Sequence, residues 1–250
     1  MSAIMEFISE SPYTATLLGG MALVALGGAS LIAYRLGLFK GLVIKDNVLL
    51  GPYLVIYREV KGPYSRLGPE FAALAKQMVD TGLVHVSEQN THPTLGVYLT
   101  NPRTTPPNEC RALVGSVYKA GPEVATRADV DRMCGLLSKL SVVRTGEVKV
   151  GHIPASLCIA TKTPLPGELP AGLSVAAGAL RAYPALTRAV AGKEGIDSMV
   201  KGSIEYYNWQ AGQMVVAMPV IKRDSILVPL DLATPLTMAS LAGGSKASKA

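Results

Sequence analysis

The segment with the most chemical promise is GSIEYYNWQAGQMVVAMP, residues 202–219. Its pattern predicts a hairpin with strands over 202–209 and 213–219 and Gly212 in the turn. Side chains alternate across a strand, so Ser203, Glu205, Tyr207 and Trp209 share one face. Ile204, Tyr206 and Asn208 share the other. A carboxylate and aromatic rings on one face make a candidate ligand pocket. Tyr57 and Glu59 share a face of an earlier strand and are expected to join that pocket, giving a candidate ligand site of Glu205, Tyr207, Trp209, Tyr57 and Glu59. The plain alternative is that Glu205 lies at the surface or pairs with a Lys or Arg, and that the aromatics simply pack.

Other chemistry finds little support. His85, His92 and His152 show no His-x₃-His spacing, so no metal site is expected. Cys110, Cys134 and Cys158 are far apart, odd in number and without a C-x-x-C, which predicts reduced thiols. No nucleophile elbow and no phosphate-binding glycine loop occur. No catalytic residue and no cofactor is therefore assigned. The net charge of +6 is modest and the basic residues are scattered, so no nucleic-acid partner is expected.

The elements that must position Glu205 form two copies of one unit. Residues 53–60 predict a strand, 66–80 a helix with Leu67, Phe71, Leu74, Ala75 and Met78 at helical spacing, and 94–100 and 111–118 two strands. A linking helix is expected over 127–140, with Val130, Met133, Leu137 and Leu140 as its apolar stripe. The order then repeats, with a strand at 153–163 containing Pro154, a helix at 172–191, and the hairpin. Pro184 is expected to kink or split that helix. Strand–helix–strand–strand twice predicts an α+β fold, an antiparallel sheet with helices on one face. The other face and the groove between the halves are left for a ligand. Pro102, Pro106 and Pro107 cannot donate ladder hydrogen bonds, so the strands on either side must stop there.

Residues 14–34, TATLLGGMALVALGGASLIAY, carry no charge. At ~1.5 Å per helical residue, such a run matches the ~30 Å hydrocarbon core, and a retained transmembrane helix is expected. Arg35, Lys40 and Lys45 follow the run and no Lys or Arg precedes it, which would place residues 35–250 on the cytosolic side. Ala25, Ala29 and Ala33 would form a small-residue stripe for packing on another helix. The expected organisation is an N-terminal segment at 1–13, the span at 14–34, a linker at 35–52, the repeat domain at 53–230 and a short tail at 231–250.

Several strings together resemble the GyrI-like domain, the duplicated SHS2-type module of bacterial gyrase-inhibitory proteins and drug-sensing regulators. They are Gly62-Pro63-Tyr64 with Phe71, Tyr98 with Asn101-Pro102, and Pro106-Pro107-Asn108-Glu109-Cys110-Arg111 with Val114-Gly115-Ser116. Tyr183-Pro184-Ala185-Leu186, Ile204-Glu205-Tyr206 and Met218-Pro219 complete the set. The closer resemblance is to the membrane-anchored, testis-expressed reticulophagy receptor family.

That resemblance implies a non-enzymatic, single-pass adaptor with its domain in the cytosol, at the endoplasmic reticulum in preference to other organelles. Its expected partners are the lipid bilayer, protein partners from autophagy or a membrane complex, and a small lipophilic ligand. An accessory subunit of a large organellar membrane complex is the alternative. A small-molecule sensor or hydrolase is the third reading, because drug-sensing relatives hold cations at a pocket carboxylate and hydrolase relatives use a pocket Glu as general acid and base. Haem-binding relatives share the architecture, yet no residue here suggests an axial ligand. The chain departs from the receptors in its tail, TPLTMASLAGGSKASKA, which has no aromatic and no acid. Tyr183-Pro184-Ala185-Leu186 has the spacing of a modifier-docking motif but falls in an expected helix.

Overall fold

A computed structural model describes residues 12–89, 91–120, 131, 135, 148–191, 193, 202–220 and 226–230. The expected linking helix lies outside the described residues apart from 131 and 135, which are helical, and the tail lies wholly outside them. The chain divides into two units, Met1–Gly41 and Leu42–Ala250.

The first unit contains helix α1, Pro12–Arg35. Among the described residues no helix is long and apolar enough to cross a membrane, which overturns the expected transmembrane span at 14–34. The inferred sidedness and the placement at the endoplasmic reticulum rested on that span and fall with it. Ala25 and Ala29 are exposed on α1 and Ala33 is half-buried.

The second unit is built on one sheet. Its strands are β1 (Ile44–Leu50), β2 (Tyr53–Lys61), β3 (Thr94–Tyr98), β4 (Arg111–Ala120), β5 (Lys149–Ile153), β6 (Ser156–Pro164), β7 (Ser203–Asn208), β8 (Gln213–Pro219) and β9 (Val228–Leu230). They lie in the order β1-β6-β8-β7-β3-β4-β2-β5-β9. Every neighbouring pair is antiparallel. Helices α2 (Leu67–Asp80) and α3 (Ala171–Ala191) complete the two strand–helix–strand–strand repeats. The β7–β3 pairing is the seam where the second strand–helix–strand–strand repeat meets the first.

Three local differences from expectation have physical causes. The strand expected over 153–163 is two strands, broken at Pro154, whose nitrogen cannot donate to a ladder. Residues 44–50, read as linker, form β1 and pair with β6, even though their alternation is blurred by Lys45, Asp46 and Asn47. Helix α3 runs unbroken through Pro184. That proline is exposed, where water can satisfy the carbonyl it leaves unbonded.

The helices cover one face in two apolar layers. Helix α2 packs Leu67, Leu74 and Met78 on Ile56, Ala112 and Val114. Helix α3 packs Ala182, Leu186 and Val190 on Ile159, Met214 and Val216. Phe71 belongs to both layers and so bridges the two halves. Arg58 ties α2 to β2 through Glu70 at 2.8 Å and Gln77 at 3.1 Å.

The opposite face curls on itself. Tyr53 of β2 and Tyr206 of β7 stack with centroids 5.2 Å apart and planes 4° from parallel. Strands β3 and β4 separate them, so a flat sheet would hold the two backbones ~14 Å apart. Strong curvature closes that distance. Val55, Tyr57, Leu95, Val97, Ile153, Ala160 and Ile204 fill the hollow. The face left open for a ligand in the sequence reading is thus apolar core.

Candidate functional site

The β7–β3 register decides which side chains meet. Gly96 lies opposite Glu205, Tyr98 opposite Ser203 and Thr94 opposite Tyr207. Gly96 in turn faces Val114, and Val114 faces Arg58. The row Glu205–Gly96–Val114–Arg58 therefore points to the helix side. Tyr57 is one residue out of that row and points the other way.

Glu205 is only 2% exposed. Tyr183, reaching down from α3, donates its phenol hydrogen to Oε1 at 2.7 Å. Tyr98 donates to Oε2 at 3.0 Å, and Tyr207 donates to the same oxygen. The hydroxyls of Tyr98 and Tyr207 are 3.2 Å apart, and Ser203 Oγ is 3.0 Å from the Tyr183 hydroxyl. Around this centre Phe71 meets Tyr207 edge-on at 5.5 Å, and Trp209 lies parallel to Tyr207 at 6.2 Å. Tyr64 meets Tyr98 edge-on at 4.9 Å. Phe71, Tyr64, Tyr98, Tyr183 and Trp209 are all half-buried, so the rim is aromatic and partly open while the carboxylate is not.

The electrostatics follow from burial. The phenols of Tyr98, Tyr183 and Tyr207 are all pushed well above the usual tyrosine value of 10.0, first by burial. For Tyr98 and Tyr183 the carboxylate of Glu205 is the next cause. For Tyr207 the Tyr98 phenol comes second and Glu205 third. All three remain neutral donors across physiological pH. Among the described residues Glu205 has no basic partner, since the ion pairs are Arg58–Glu70, Arg111–Glu59, Lys149–Glu59 and Lys193–Asp46. Taking a carboxylate out of water is costly without a compensating cation, and three neutral donors supply only part of that compensation.

The structure brings Glu205, Tyr207 and Trp209 together as their spacing implies. It does not bring Tyr57 or Glu59 to them. Tyr57 lies in the curled hollow with Leu95 and Val97, where burial and then Glu59 push its phenol to about 12. Glu59 stands near the surface, 3.0 Å from Lys149. The strand parity of 57 and 59 is internally correct, but which face it selects depends on pairings through β4 and β3 that one strand cannot reveal. Tyr98, Tyr183, Tyr64 and Phe71 were not assigned to the site from sequence. A signal existed for Tyr98, whose Gly96-x-Tyr98 spacing puts both residues on one strand face.

The loop between β3 and β4 also has a role. The Tyr64 hydroxyl is bound by Thr100 at its carbonyl (2.8 Å) and Oγ1 (2.6 Å), and by the Arg111 carbonyl (3.0 Å). Gly62 N–H donates to the Cys110 carbonyl at 2.8 Å. The proline-rich loop thus fixes Tyr64, and Tyr64 braces Tyr98. Tyr183 points inward to Glu205 from a helix, which removes Tyr183-Pro184-Ala185-Leu186 as an extended docking motif. Cys110 and Cys158 are buried, and burial pushes the Cys158 thiol to about 12. Among the described residues no group of His, Cys, Asp and Glu is placed to hold a metal ion.

No protein-family profile matches the chain, and no curated protein matches it. Solved structures do. The C-terminal domain of EcmrR is similar with a TM-score of 0.41 and 15% identity, over 73% of this chain and 98% of that one. EcmrR in a DNA complex is similar with a TM-score of 0.40 and 14% identity, over 84% of this chain and 69% of that one. A hydrolase from Listeria innocua is similar with a TM-score of 0.35 and 12% identity, over 71% and 90%. Likeness of this degree says nothing about activity or partners, and it shows no relationship to the reticulophagy receptors.

Proposed function

We propose that this protein binds small, flat, apolar organic cations, with Glu205 as the counter-ion and Tyr98, Tyr183, Tyr207 and Trp209 as aromatic walls. The observation that carries this reading is a buried carboxylate without a basic partner among the described residues, ringed by half-buried aromatics at the seam between two repeats. A bound cation would supply the missing charge compensation, and ring faces would replace its water. Catalysis by Glu205 is the weaker alternative, because both carboxyl oxygens are already engaged by phenol donors. The adaptor and membrane-subunit readings leaned on a membrane anchor and lose that support.

The test is a fluorescence titration at pH 8 with two probes of nearly one shape, N-methylacridinium and neutral acridine. Binding of the cation at least about tenfold tighter than acridine is expected, since a desolvated ion pair contributes on the order of 2 kcal/mol. Equal affinity for the two probes, or no binding of either, contradicts the reading.

A further inference from the structure

Glu205 is enclosed, so a ligand can reach it only if one of the three phenols moves. Tyr207 is held edge-on by Phe71 and flanked by Trp209, and it is 3% exposed. Tyr183 is carried by a helix and has a second contact at Ser203. Tyr98 is also met edge-on, by Tyr64, but of the three phenols it is the one seated over a strand glycine. Its hydroxyl contacts Glu205 and Tyr207, and its ring doubles back over its own strand. The ring lies over Gly96: a Cβ built there would come within 3.0 Å of Tyr98 Cε2 and 3.2 Å of its hydroxyl oxygen. Glycine inside a strand commonly marks such a close approach. A side chain at position 96 would press the ring off this pose by a few tenths of an ångström.

We infer that Tyr98 is a cap on Glu205 and that Gly96 is the residue that seats it, so the two together determine how readily a cation reaches the carboxylate. This rests on the cation-binding reading above. In the capped state Tyr98 satisfies Oε2 and excludes the ligand. In the open state the ring swings off Gly96 and becomes one wall of the site. Apparent affinity is then scaled by the fraction of molecules that are open. Tyr64, braced by Thr100 and Arg111, limits the swing from the other side.

The test is stopped-flow binding of N-methylacridinium to the full chain. Tyr98→Phe keeps the ring and removes the bond to Glu205, so it is expected to tighten binding about three- to tenfold, through faster association. Gly96→Ala crowds the seat and is expected to tighten binding about two- to threefold. The same substitution in a Tyr98→Ala background is expected to change nothing. Weaker binding by Tyr98→Phe, with the preference over acridine intact, would make Tyr98 a fixed wall and overturn the cap. An equal Gly96→Ala effect with and without the Tyr98 ring would overturn the seat. Loss of all discrimination between the two probes in every variant, wild type included, brings down the Glu205 reading itself and the cap with it. Urea denaturation of Tyr98→Phe, which alters a single hydroxyl, confirms that the comparison is made on folded protein.

Discussion

Glu205→Gln is expected to weaken N-methylacridinium binding about 100-fold and to leave acridine binding within about twofold. Removing one member of a desolvated charge pair typically costs about 2–5 kcal/mol, and each ~1.4 kcal/mol is tenfold in affinity. Gln is nearly isosteric and keeps a carbonyl oxygen for a phenol donor. The fold should therefore survive, with stability changed by no more than about 1 kcal/mol, because the lost charge-assisted hydrogen bonds are offset by the desolvation no longer required. A residue kept for the fold would behave oppositely, with its loss lowering stability sharply while both probes bound as before. Titration and urea denaturation of the same variant separate the two cases. Equal weakening for acridine and its cation would show that Glu205 shapes the site without acting as its counter-ion.

Raising the pH is expected to unfold the Leu42–Ala250 unit cooperatively above pH 10. The phenols of Tyr98, Tyr183 and Tyr207 are raised well above 10.0, chiefly by burial. Tyr53 is raised to about 12 by burial and then by Tyr206. Below pH 10 these phenols are neutral in both folded and unfolded chains, so their contribution to stability is fully present. Above pH 10 the unfolded chain releases protons that the folded chain retains, and stability is lost as pH climbs toward the raised folded values. Each shielded phenol contributes a slope of about 1.4 kcal/mol per pH unit. Three around Glu205 would consume a typical 5–15 kcal/mol of stability within a few pH units. The expected record is tyrosinate absorbance at 295 nm rising together with loss of far-ultraviolet circular dichroism in one transition. Tyrosinate appearing near pH 10 with the dichroism unchanged would mean that these phenols are open to water.

What the sequence disclosed follows a physical boundary. Alternation within one strand is a local property, so Glu205, Tyr207 and Trp209 could be placed on one face from 202–209 alone. Helix α2 was legible because Leu67, Phe71, Leu74, Ala75 and Met78 fall at helical spacing. Which faces of different strands coincide is set by register across the whole sheet. Tyr57 and Glu59 were misplaced for that reason, and Tyr98 was not assigned although only one ladder separates it from Glu205. Tyr183 was hidden further, because its role depends on where α3 crosses β7. Strand β1 was missed because Lys45, Asp46 and Asn47 interrupt its pattern, and Asn47 takes a left-handed φ of 54°. The uncharged run at 14–34 gave the strongest compositional signal in the chain, yet composition alone did not establish a membrane crossing.

The most direct test of Glu205 as a cation site is a crystal structure of the protein soaked with N-methylacridinium. The charged nitrogen is expected beside the Glu205 carboxylate and within about 6 Å of the Tyr207 or Trp209 ring centroid, the range over which ring-face attraction operates. Density for the probe only on the surface, with Glu205 still enclosed by its three tyrosines at saturating probe, would contradict that role.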